Sequence, residues 1–232
     1  IPIMSCRLPP HLLFAMPLLL ACSLPSLAAG PARYAFDPVH TRVMFGVDHA
    51  GFSQAIGTVS GAQGQLYFDA DSWQGTRMEV VVPMQRLDMG DAGWTTSVLA
   101  PRFLDTAHYP QARWVVDQLT RTDDSHGTAC GALTLHGVTR PLCMALTLNR
   151  AARHPMPPFR QTLGFSASTT LKRSDFGMTH WQALVGDNVE LRIEAELYRQ
   201  RGETAPPAAL EPVPDNPPNA PARPAQPSTE NP

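Results

Sequence analysis

The sequence predicts an all-β chain, folded as an antiparallel sandwich or closed barrel of about eight strands. Three observations carry this expectation. Apolar residues recur with period two over long runs. Helical periodicity is confined to two short pieces, and turn-forming clusters separate the runs. Closure into a barrel would remove exposed sheet edges.

In chain order, Val43-Phe45-Val47 gives an early strand. A Gly-rich stretch (Gly57, Gly61, Gly64) then leads into Leu66 and Phe68. Glycines inside strands mark bends or bulges that let a sheet curl. Met78-Val80-Val82-Met84 alternates next, after the turn cluster Asp69-Ala70-Asp71. Gly93 to Leu104 reads as a short helix with Trp94, Val98 and Leu99 on one face. Trp114-Val116 and Leu133-Leu135 are two further strands, parted by Thr122 to Ser125. After the Pro-rich turn at 154–158, Leu163-Phe165-Ala167-Thr169-Leu171 alternates with small polar residues. Ser174 to Val185 carries the second, weaker helical signal. The clearest strand is last: from Val189 to Leu197 odd positions are apolar and even ones charged. That is the pattern of a half-buried antiparallel strand.

One hairpin can be drawn in register. With His136-Gly137 as a two-residue turn, Leu135 faces Val138, Thr134 faces Thr139, Ala132 faces Pro141 and Cys130 faces Cys143. Pairs in such a hairpin alternate between hydrogen-bonded and non-hydrogen-bonded classes. Pro141 falls in the second class, where its missing N–H costs this partner nothing. Cys130 and Cys143 share that class, so a disulfide is expected between them.

Composition sets the outer limits. The chain has 232 residues, a formal net charge of −2 and only 16% charged residues, which gives no electrostatic reason to bind nucleic acid. Residues 1–29 read as an export signal: Arg7, then the apolar stretches Leu12–Met16 and Leu18–Cys22, then Ser26-Leu27-Ala28 as a cleavage site. The expected location is therefore the periplasm. The alternative is a lipoprotein anchored at Cys22, which follows Leu20-Ala21. Residues 30–33 read as a short linker and 34–200 as one barrel domain. Residues 201–232 read as a disordered tail, since segment 202–232 holds ten of the 24 prolines. With Cys6 and Cys22 in the signal, the folded part keeps one cysteine pair, as suits an exported protein with one disulfide.

Several motifs together carry a resemblance. Gly131-Ala-Leu-Thr-Leu-His-Gly-Val-Thr-Arg-Pro141 resembles the G-x-L-T-hydrophobic-x-G-V-T-[KR]-P signature of the YceI-like family of polyisoprenoid-binding, lipocalin-like proteins. Tyr34-x-Phe36-Asp37-x-x-His40-Thr41-x-Val43-x-Phe45 looks like that family's opening strand, and His49-x-Gly51 like the H-x-G after it. Gly57 to Asp69, Leu99 to Pro110 and Arg173-Ser174-Asp175-Phe176-Gly177-Met178 follow in family order. One departure is Thr96-Ser97-Val98, where the family usually carries Asp and His before the leucine. The resemblance implies an eight-stranded antiparallel lipocalin-like barrel with one or two short capping helices. It also implies an isoprenoid cargo, a quinone or polyprenyl chain, which periodicity alone could not show.

The resemblance and the apolar pattern together nominate Phe45, Phe52, Ile56, Trp94, Leu99, Phe103, Phe165 and Phe176 as ligand-binding residues. Trp94, Leu99, Phe103 and Phe176 are placed on the short helices at a barrel mouth. No catalytic residue is expected: there is no G-x-S-x-G elbow. No metal site is expected either, because His40 and His49 have opposite strand parity and no H-x-H or H-x-x-x-H spacing occurs. Asp37 and His40 are read as a hydrogen-bonded strand start, and Arg173 with Asp175 as a turn-stabilising pair. No cofactor is expected beyond the lipid itself. Transient membrane contact and a homodimer are left open as partners. The rival function is an enzyme or redox partner acting with a barrel-bound cofactor.

Overall fold

The computed structural model describes residues 30–202. The export signal, the Cys22 anchor and the Pro-rich tail fall on residues 1–29 and 203–232 and so lie outside the described residues.

The elements are β1 (Ala32–Phe36), β2 (Arg42–His49), β3 (Ser53–Ser60), β4 (Gln63–Phe68), β5 (Arg77–Pro83), β6 (Leu87–Asp88), α1 (Ala92–Leu99), β7 (Gln111–Arg121), β8 (His126–Leu135), β9 (Val138–Arg153), β10 (Gln161–Lys172) and β11 (Val185–Arg199). They form one antiparallel sheet that closes on itself, because β1 pairs with both β4 and β11. Eleven strands make eight staves. β1 with β2, β3 with β4, and β5 with β6 are each one stave broken in the middle. The long β11 pairs with β2 along its first half and with β1 near its end, which closes the ring.

Each break has a local cause. Between β1 and β2, Asp37 Oδ1 accepts from the backbone N–H of Val39 (2.8 Å) and of His40 (3.2 Å), and Oδ2 meets His40 Nδ1 at 2.9 Å. A side chain that satisfies nearby backbone donors competes with the ladder. Between β3 and β4 stands Gly61 at φ +80°, a conformation that a Cβ disfavours. Between β5 and β6 the chain makes a single 3₁₀ turn, Met84–Arg86, directly after Pro83.

Strand β1 begins at Ala32, which pairs with Phe68, so the expected linker is partly strand. The hairpin of β8 and β9 has the expected register, from Leu135 opposite Val138 to Cys130 opposite Cys143. His136 (φ 50°) and Gly137 (φ 74°) supply the two left-handed turn positions. The Thr134 and Thr139 hydroxyls meet at 2.8 Å. Cys130 and Cys143 are bonded, with Cα atoms 4.1 Å apart. Leu163 opposite Leu197, Phe165 opposite Ala195 and Leu171 opposite Val189 show the apolar parities of β10 and β11 meeting on one face.

The two helical expectations need correction. Among the described residues only Ala92–Leu99 is α-helix, with Asp91 as its cap: Oδ1 accepts from Trp94 N at 2.8 Å. It stops before Pro101, which has no N–H to continue the ladder. The segment Ser174 to Val185 forms a 3₁₀ turn, Arg173–Phe176, and then irregular turns. Gly177 at φ +79° ends that turn.

Candidate ligand-binding cavity

The meander puts four connections at one end of the barrel: the turn 49–53, the segment 89–110 with α1, the turn His136-Gly137 and the segment 173–184. Loops 69–76, 122–125 and 154–160 lie at the other end. Between the two ends the staves enclose a cavity of about 810 Å³. Its wall is made by the inward parity of each stave: Val43, Phe45 and Val47 of β2, Met78, Val80 and Val82 of β5, and Leu191, Ile193 and Ala195 of β11 are examples.

One end is plugged. Phe68 packs on Trp73 with ring centroids 5.6 Å apart, and edge-on against Phe165 at 5.5 Å. Trp73 is buried in the loop after β4, and the Arg121 guanidinium lies 5.6 Å from its ring centroid. The opposite end is a rim of aromatic rings. His49 lies 5.7 Å from Trp94, Phe103 lies 6.4 Å from Trp181, and the Arg102 guanidinium stands 5.8 Å from the Trp181 centroid. All five residues border the cavity.

Polar groups on the wall are few, and two of them are already engaged. Arg173 is buried and donates to the carbonyls of Gly186 (2.9 Å), Met178 (2.6 Å) and Val185 (2.9 Å). Burial lowers its pKa, opposed by the nearby Asp187 carboxylate. Asp48 Oδ2 accepts from Gly51 N at 3.0 Å. Asp187 in turn receives Ser174 N and Oγ at 2.9 and 2.8 Å. Burial tends to raise the Asp187 pKa, but these hydrogen bonds and Arg173 bring it below its ordinary value. The expected pairing of Arg173 with Asp175 is not formed: Arg173 ties the rim loop through carbonyls, and the carbonyl of Asp175 accepts from Arg140 instead. Asp37 and His40 do brace a strand start. Burial of Asp37 tends to raise its pKa, but the His40 hydrogen bonds outweigh it and lower it, while the same bond raises His40.

The eight nominated residues divide. Phe45, Trp94, Phe103 and Phe165 border the cavity. Leu99 and Phe176 pack behind its surface. Leu99 lies against Ala55, Val59, Leu87 and Met89, and Phe176 against Leu133, Leu142, Leu171 and Met178. Phe52 and Ile56 lie outside the barrel, 92% and 58% exposed. The reason is the parity of β3. Ala55 and Val59 border the cavity, so Gly57 faces inward with them, and it must be glycine because Phe45 of β2, directly opposite, fills the space a larger residue would need. A Cβ on Gly57 would come within 2.4 Å of the Phe45 ring. Phe52 sits past the left-handed pair Ala50-Gly51 at the tip of its turn. Sequence reading passed over Trp73 and Trp181. The only signal for either was a large aromatic residue in a segment otherwise read as turn or weak helix.

Comparison with known proteins agrees with this geometry. Residues 34–197 match the YceI-like domain. A UPF0312 protein of Pseudomonas savastanoi pv. phaseolicola is 32% identical over 157 residues, covering 66% of this chain and 81% of its own. The crystal structure of Burkholderia cenocepacia BcnA superposes with a TM-score of 0.62 at 20% identity, covering 69% of this chain and 98% of that one. A polyisoprenoid binding domain from Saccharophagus degradans, implicated in plant cell wall breakdown, superposes with a TM-score of 0.54 at 12% identity, covering 72% of this chain and 98% of that one. A closed eight-stave barrel with that signature across residues 34–197 makes this chain a member of the YceI-like family.

Proposed function

We propose that the barrel carries the apolar tail of an isoprenoid lipid, an isoprenoid quinone or a polyprenyl chain, through the periplasm. The observation that supports this most is the cavity: about 810 Å³, walled by apolar side chains, plugged at one end and bordered by aromatic rings at the other. The name of the Saccharophagus degradans neighbour points to the same ligand class. The disulfide supports an oxidising compartment.

Magnitudes favour a carrier over a trap. A methylene group is about the size of a water molecule, which takes roughly 30 Å³ of liquid, so a cavity of about 810 Å³ takes about 27 carbons, or about five isoprene units. Burying them at about 0.8 kcal/mol each gives a gross figure near 22 kcal/mol. That sits at the ceiling of non-covalent affinity, about 21 kcal/mol. Ordering a flexible chain opposes it. The working reference is a membrane, where the tail is already out of water, so the net preference is small and the lipid can be released. The enzyme or redox alternative has less support. The ionisable groups on the wall are Asp48, His49, Arg102 and Arg173, and Asp48 and Arg173 already serve backbone partners.

The test is organic extraction and mass spectrometry of protein from its own periplasm, then titration with quinones of increasing tail length. Affinity is expected to rise to about five isoprene units and then level off. Affinity independent of the tail would overturn the proposal.

A further inference from the structure

We infer that the rim end of the barrel is a membrane-docking face that seats on the neutral headgroup surface of a phospholipid bilayer. The inference rests on the carrier reading. Four large apolar side chains stand exposed at this end: Phe52 at 92%, Trp181 at 54%, Leu184 at 51% and Trp94 at 39%. They come from three separate segments that the fold brings together. Ala50 N donates to Leu184 O, Val185 pairs with His49, and the His49 ring lies 5.7 Å from Trp94. Exposed apolar residues scattered singly need no explanation, but a cluster around an opening does.

The occupant follows from what the patch adjoins. Trp94 and Trp181 both border the cavity and are exposed, so they join the apolar lumen to the exposed rim. A bilayer seated there would let a tail pass between membrane and lumen without crossing water. Tryptophan favours the membrane interface, with its apolar body inward and its polar edge at the headgroups. Arg102, stacked by Trp181, can keep its charge at phosphate level while its stem stays apolar. Charge selects a neutral surface over an anionic one. At this end the carboxylates Asp48, Asp91, Asp105, Asp175 and Asp187 outnumber the cations Arg102, Arg140, Lys172 and Arg173, and Arg173 is spent on carbonyls.

The experiment is flotation of the full chain with phosphatidylcholine vesicles, with and without anionic phosphatidylglycerol, across a range of salt. Quenching of tryptophan fluorescence by phosphatidylcholine with brominated chains gives the second readout. Phe52 and Leu184 do not border the cavity, so Phe52→Ser and Leu184→Ser leave tail binding in detergent intact. Each is expected to weaken vesicle binding about tenfold. Met156→Ser with Phe159→Ser, on the exposed loop at the plugged end, is expected to leave it unchanged. Binding should need no anionic lipid and should survive high salt. Wild-type protein that binds tails but not vesicles would sink the docking face and leave the carrier standing. Vesicle binding untouched by the Phe52 and Leu184 variants, or dependent on phosphatidylglycerol, would also overturn it. If those variants instead dissolve a dimer while vesicle binding stays, the patch is a self-interface and the inference fails.

Discussion

Ala167 in β10 stands directly opposite Ile193 in β11, and both side chains border the cavity. A bulky residue at 167 therefore projects into empty space before it meets the far wall. Ala167→Trp is expected to abolish binding of a long-tailed quinone while the barrel persists, at a cost of about 1–3 kcal/mol. Tail titration and thermal melting, measured on the same preparation, check this. A variant that binds tails normally would show that the lumen is not the binding site.

Trp94 contributes at the rim, where it is partly exposed and packs against His49. Its removal widens the opening without touching the plugged end. Trp94→Ala is expected mainly to speed release of a bound tail, with a smaller change in uptake. Stopped-flow displacement of a fluorescent polyprenyl probe gives both rates. Equal changes in the two would assign Trp94 to gating passage in both directions instead.

The Cys130–Cys143 bond joins positions that already face each other in a hairpin of ordered strands. Closing a loop of about 14 residues corresponds to roughly 3 kcal/mol in the chain-entropy account. Replacing both cysteines with alanine is expected to lower the melting temperature by several degrees and leave the register intact. Peptide mapping without reductant should recover the two halves of the hairpin linked. Free thiols at both positions in periplasmic material would contradict the bond.

Asp123, in the turn between β7 and β8, carries an acid-sensitive contribution. Its Oδ1 accepts from Ser125 N and from His126 N at 2.9 Å each, and meets His126 Nδ1 at 2.9 Å. These hydrogen bonds, the Ser125 backbone bond foremost, lower its pKa to about 2. A carboxylate depressed on folding stabilises above its unfolded value, about 3.9. That contribution is lost as the pH falls from there through about 2. Asp123→Asn is expected to flatten stability against pH in this window and to change nothing in its slope above it. Denaturant melts at a series of acidic pH values test this, and an unchanged slope in the variant would refute it.

The strand pattern, the hairpin register and the family could all be read from the chain, because each rests on local chemistry. Period-two alternation at Val189 to Leu197 reports one buried face whatever the neighbours are. A two-residue turn at His136-Gly137 fixes every pair below it, down to Cys130 opposite Cys143. The binding wall is another matter. Ile56 looked like a wall residue and Gly57 like a mere bend, yet it is Gly57 that shares the inward face of Ala55 and Val59, where Phe45 on the next strand leaves no room for a side chain. Trp73 and Trp181 gained their places at the two ends from loops whose paths depend on distant partners, Arg121 for one and Phe103 for the other. Whether the barrel is filled or hollow is likewise a sum over all eight staves. Alternation within a strand determines which side chains share a face. The void left between them depends on the volumes of residues far apart in the chain, so only the closed tertiary structure decides it.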